Sequence, residues 1–159
     1  MAVKRPRRSS KARSPAERLE LKLDSTLQSV DLAERLVRRF CKKVGCNEQQ
    51  QNEIGLAVRE TVANAVYHGN GCDARKKVSV AAERRKSGVV ISVRDEGPGF
   101  DPESVPDPLD PANLLRASGR GVFLIRATMD EVKLRRLAAR GMEITLVKHF
   151  SNSGRRTKR

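Results

Sequence analysis

Between Asn47 and about Tyr67 the chain offers a helix that is apolar on almost every side, and few small folds can accommodate one. At about 100° per residue, Leu56, Ala57, Ala63 and Tyr67 fall on one side and Val58, Val62 and Ala65 on the other. Such a helix needs neighbours nearly all round it. Glu60 and Asn64 interrupt the pattern, and they share a face because they stand one turn apart. A carboxylate buried without a partner costs several kcal/mol, so Glu60 is expected to act on something local. A Glu/Asn pair at this spacing suits a hydrated divalent metal, with Asn giving a neutral oxygen and Glu orienting or deprotonating a nearby ligand. On this helix alone, a hydrogen-bonded core pair or a solvated edge fits equally well.

The rest of the chain supplies the neighbours. Leu19-Glu20-Leu21-Lys22-Leu23 alternates like a strand. An amphipathic helix follows, with Ser29 as its expected cap, Asp31 in its first turn and Gly45 at its end. Asn47 opens the central helix, with Gln50 as a capping-box partner. That helix is expected to stop near Gly69-Asn70-Gly71. Residues 77–83 and 89–94 read as a hairpin, 122–129 as a short apolar helix, and 132–137 with 142–150 as a closing strand pair. Residues 101–117 hold four prolines and read as a long loop, of the kind that serves as a lid. The order β-α-α-β-β-loop-α-β-β predicts an α+β domain, a two-layer sandwich with a mostly antiparallel sheet and helices on one face.

Charge narrows the function classes. The net charge is +14, but much of it lies in residues 1–18 and 151–159, which read as basic tails lacking the apolar residues needed to fold. The folded domain is expected to span 19–150. Tails of this kind bind polyanions weakly through counterion release. With no aromatic residues among the charges, specific nucleic-acid recognition is not expected of them. No apolar run is long enough to span a bilayer and no secretory signal is present, so a cytoplasmic protein with reduced thiols is expected. Cys41 and Cys46 lack the partners of a zinc site.

Two further motifs carry chemistry. Asp95-Glu96-Gly97-Pro98-Gly99 ends a strand, where an acid can accept a hydrogen bond from an exocyclic amine while Gly97 and Gly99 let a ring approach the backbone. Read alone it is also a plain Asp/Gly/Pro turn. Ser118-Gly119-Arg120-Gly121 opens a helix, where free N–H groups and the positive dipole end favour phosphate. A glycine-rich helix entry looks the same. There is no Walker loop, and no recognisable Ser/His/Asp triad around Ser118. His68, before Gly69, reads as a cap or packing residue.

The three segments in this order resemble the boxes of the GHKL ATPases, the superfamily of gyrase, the ninety-kilodalton heat-shock chaperone, histidine kinases and MutL. Glu60-Thr61-Val62-Ala63-Asn64-Ala65-Val66-Tyr67-His68-Gly69 resembles the N box, Asp95 to Phe100 the first glycine box, and Ser118 to Ile125 the second. The short chain, Asn64-Ala65-Val66 before His68-Gly69, and Met129-Asp130-Glu131-Val132 look most like the anti-sigma-factor serine/threonine kinase branch.

The resemblance implies a histidine-kinase-like ATPase fold binding ATP and Mg²⁺. Asn64 would coordinate the metal, and Glu60 would serve as general base toward the attacking hydroxyl or would position it. Asp95 would hold the adenine amino group beside Gly97 and Gly99, while Ser118, Gly119, Arg120 and Gly121 would cradle phosphates. It implies a protein serine/threonine kinase that phosphorylates a STAS-domain anti-anti-sigma factor, sequesters a sigma factor and forms a homodimer. The alternative is an ATP-binding regulatory module of the same fold without efficient transfer. Some kinases of the branch carry an Arg just before the second glycine box. Here that position is Ala117, between Arg116 and Arg120.

Overall fold

A computed structural model describes residues 17–99, 101 and 120–151, with the backbone alone for 120–123. The strands are β1 (Arg18–Asp24), β2 (Lys77–Arg85), β3 (Gly88–Arg94), β4 (Glu131–Arg136) and β5 (Met142–His149). The helices are α1 (Leu27–Val44), α2 (Glu48–Asn64) and α3 (Arg120–Thr128). A single sheet runs in the order β1-β2-β3-β5-β4, and every neighbouring pair is antiparallel. This is the expected α+β sandwich. Most of the basic tails expected over 1–18 and 151–159, residues 1–16 and 152–159, and most of the proline-rich segment lie outside the described residues, while Arg18 already opens β1. No helix among the described residues is long and apolar enough to cross a membrane.

Strand alternation puts one row of side chains under the helices. Leu21, Val80, Val93, Ile144 and Leu134 stand in register across the sheet, and so do Leu19, Ala82, Ile91, Leu146 and Val132. Most of these join one core with Val30, Val37, Ile54, Val58, Val62 and Ile125 from the helices. The opposite face carries Ser79, Ala81, Ser92, Thr145 and Val147, together with Glu143 held between Arg94 and Arg135. The absence of Trp is met by aliphatic packing.

α2 lies between α1 and α3. The expected capping box is present: Asn47 Oδ1 accepts from Gln50 N–H at 2.8 Å, and Gln50 Oε1 accepts from Asn47 N–H at 3.0 Å. Gln50 also donates to His149 O at 2.9 Å, which seats the start of α2 on β5. α1 corrects the expectation at its own start. Thr26, not Ser29, is the cap, in extended backbone, and Ser29 lies inside the helix as the donor to it at 3.3 Å. Asp31 therefore falls beyond the first turn. Instead it meets Arg59 of α2 at 2.6 Å, beside Glu34 at 2.9 Å. The hairpin between β2 and β3 is tighter than expected, with Arg85 opposite Gly88 across Lys86-Ser87.

Candidate functional site

The second correction concerns α2 itself. Ile54, Ala57, Val58, Thr61 and Val62 are buried, but Leu56, Glu60, Ala63 and Asn64 are only half-buried. The helix is thus covered on three sides rather than all round. Its open stripe carries the two polar side chains, so Glu60 keeps access to water and needs no protein partner. Among the described residues, neither the Glu60 carboxylate nor the Asn64 carboxamide makes a side-chain hydrogen bond or ion pair. The missing cover is what the sequence could not show, since periodicity counts apolar positions without saying which of them lacks a neighbour.

At Asn64 the α-helix gives way to one turn of π-helix, Ala65–Gly69. Its bonds widen the last turn, with Asn70 N–H donating to Ala65 O and Cys72 N–H to Val66 O, both at 2.8 Å. Single π turns are rare and recur at functional sites. Here the extra residue turns Tyr67 and His68 outward and brings Gly69 in against the end of β3.

That contact joins two of the three motifs. A Cβ on Gly69 would overlap the Asp95 carboxylate, and a Cβ on Gly97 would overlap Gly69 O. On the third side, Gly141 takes φ 96° and a Cβ there would overlap Asp95 O. Only residues without side chains let three backbones meet at one carboxylate. Asp95 is half-buried. Its Oδ1 accepts from Gly97 N–H at 3.0 Å and from Met142 N–H at 3.2 Å, while its own N–H donates to Met142 O at 3.1 Å. No donor among the described residues reaches Oδ2. Gly99 takes φ 68° and faces Gly141 O and the Arg136 side chain. Glu96 pairs with Arg140 at 3.7 Å, an exposed pair of little energetic weight.

Asn70 holds this junction and is not singled out by the sequence. It is 2% exposed. Its carboxamide nitrogen donates to Ser25 Oγ at 2.7 Å and to Lys77 O at 3.0 Å, and its oxygen accepts from Glu96 N–H at 2.7 Å. One side chain thus ties the β1–α1 junction, the start of β2 and the loop after β3 to the end of the π turn. The Gly-Asn-Gly string marks a helix stop, and nothing local in it announces partners so distant along the chain. Gly141 is likewise legible only as a turn residue.

The third motif is reached in part. Ser118 and Gly119 lie outside the described residues, as do Arg116 and Ala117. Arg120 begins α3 and Gly121 is its second residue, and nothing further is described of their side chains. α3 packs along α2. Ile125 and Met129 are buried in the core, and Lys148 anchors the helix end by donating to Thr128 O at 2.5 Å while pairing with Glu53 of α2. The start of α3 is therefore carried on the same helix that presents Glu60 and Asn64.

The whole of this framework has relatives. A sequence profile described as the histidine kinase-like ATPase domain matches residues 23–148. The anti-sigma F factor of Bacillus velezensis is 31% identical over 139 residues, which are 85% of this chain and 94% of that protein. The serine-protein kinase RsbW of Oceanobacillus iheyensis is 26% identical over 122 residues, 73% of this chain and 77% of that one. Among solved structures, the RsbU and RsbW domains of a Mycobacterium tuberculosis protein match with a TM-score of 0.64 at 23% identity, covering 89% of this chain and 34% of that longer one. That likeness speaks to the fold. The chain belongs to the histidine kinase-like ATPase domain family, on the branch of the anti-sigma serine kinases.

Proposed function

We propose that this chain is an ATP-dependent serine protein kinase and an anti-sigma factor, with its nucleotide held between α2, the end of β3 and the start of α3. The observation that carries the site is Asp95, whose Oδ1 is fixed by two backbone amides while Oδ2 is free to accept from the adenine amino group. Half-buried Glu60 and Asn64 are oxygen donors of the kind a hydrated Mg²⁺ takes, so the residues present fit the metal. Bound Mg²⁺ would neutralise charge on the phosphate oxygens. Asn64 would hold that ion. Glu60 would accept the proton of the attacking hydroxyl, a task that calls for a carboxylate with access to the site rather than one locked in an ion pair. Ser118, Gly119, Arg120 and Gly121 would cradle the phosphates.

The partner reading follows from the relatives, two of which are named as an anti-sigma factor and a serine-protein kinase. The phosphoryl acceptor would be a serine or threonine on a STAS-domain anti-anti-sigma protein, and the second partner a sigma factor. The chain would act as a homodimer. Its sheet face turned away from the helices is not covered by any described element, and Ala81, Val90, Ser92, Thr145 and Val147 there are half-buried and would meet a second copy.

Incubation with Mg²⁺ and γ-labelled ATP, together with a panel of STAS-domain proteins from the same genome, tests this reading. Label on one serine or threonine of one protein is the expected result. ATP bound with no label on any of them would reduce the chain to an ATP-binding regulatory module.

A further inference from the structure

At the other end of α2 from Asn64, the α1–α2 corner holds two thiols that the nucleotide site does not use. α1 closes in a Schellman motif. Gly45 takes φ 109° and its N–H donates to Lys42 O at 3.4 Å, while Cys46 N–H reaches back to Cys41 O at 2.9 Å. This bond pattern presses the side chains at those last two positions together, a contact that two apolar residues usually fill. Here both are cysteines. Cys41 is 0% and Cys46 6% exposed, and neither is in a disulfide. The neighbouring Cys46, with burial adding to it, pushes the Cys41 thiol far up. Cys41 in turn lowers the Cys46 thiol against its own burial. Cys46, the more exposed of the two, is the sulfur an oxidant reaches first, and Cys41 the one that resolves.

We propose that Cys41 and Cys46 form a redox modification site, in which an oxidant of the hydroperoxide class closes an intramolecular disulfide across the end of α1. Cys46 Sγ attacks one oxygen of the hydroperoxide. The O–O bond breaks, the alcohol leaves with a proton, and Cys46 becomes a sulfenic acid. Cys41 Sγ then attacks Cys46 Sγ. The S–S bond forms, the S–O bond breaks, and the hydroxyl leaves as water with the Cys41 proton. Two thiols and one hydroperoxide thus give one disulfide, one alcohol and one water. A dithiol reductant reverses the step by exchange. The bond from Cys46 N–H to Cys41 O at 2.9 Å already holds the two residues across one turn.

Cys72, exposed in a turn, is removed from the test by Cys72→Ser. Folded Cys72→Ser protein is treated with one equivalent of hydrogen peroxide, blocked with iodoacetamide and digested with trypsin without reduction. Lys42 and Lys43 separate the two cysteines into peptides 40–42 and 44–59. The expected product is those two peptides joined, lighter by two hydrogens, and released by dithiothreitol. Joining is expected at least tenfold faster in the folded protein than in urea. Two carbamidomethylated peptides, a Cys46 sulfinic acid without a link, or a disulfide between two chains would each overturn the proposal. So would joining that occurs only in the unfolded chain.

Discussion

At Asp95 the two carboxylate oxygens do different work. Oδ1 holds the Gly97 and Met142 amides, and Oδ2 is left for a ligand. Asp95→Asn keeps an oxygen for the amides but loses the charge. A hydrogen bond to a charged group is worth about 1.5–3 kcal/mol, so ATP should bind roughly tenfold weaker or worse in titration calorimetry, with the fold intact. Unchanged affinity would remove Asp95 from the adenine site. Asn70→Ala tests the junction behind it. Three partners, buried Ser25 and half-buried Lys77 and Glu96, would lose a bond, at about 1–3 kcal/mol for each group left buried and unsatisfied. Urea melts should show the loss, and ATP affinity should fall as well, because the Glu96 backbone is freed. A variant that melts earlier but binds ATP normally would make Asn70 a structural tie alone. Asp95 and Glu60 were legible because an acid at a strand end and a carboxylate in an apolar stripe are each locally odd. Asn70, Gly69 and Gly141 were not, since each is defined by a contact from a distant part of the chain.

Among the elements, strand alternation and helix periodicity placed every described strand and helix to within a few residues, and the Asn47/Gln50 capping box was readable outright. The misreadings were of context. Two hydroxyls three residues apart, Thr26 and Ser29, both look like caps, and the choice depends on backbone that turns after Asp24. The π turn leaves no local signature. The tie among α2, α3 and β5 could not be foreseen either, because it rests on Lys148 reaching both Glu53 and Thr128 O. Lys148 lowers the Glu53 pKa below its ordinary value of 4.5, against a smaller opposing effect of burial. A carboxyl with a depressed folded pKa contributes stability above its unfolded value and loses it as pH falls through the folded one. The tie should therefore be intact above about pH 4.5 and weaken below. Glu53→Gln should flatten the acid limb of the melting temperature against pH, and an unchanged acid limb would assign the loss to other carboxylates.

For the molecule as a whole, the sandwich was legible because a strand, two hairpins, one amphipathic helix and two largely apolar helices can bury their apolar faces in few other ways. Which sheet face stays open, and what covers it, is a question of assembly. The proposed dimer predicts a mass of two chains in sedimentation equilibrium at micromolar concentration, and a single-chain mass would contradict it. The central claim is that the open stripe of α2 performs phosphoryl transfer, and Glu60→Ala tests it most directly, read by the single-turnover rate of label transfer from Mg-ATP beside the ATP dissociation constant. A positioned base contributes about 10² to 10⁴-fold, so transfer should fall by that factor while ATP binding is kept. Transfer at the wild-type rate would contradict the account.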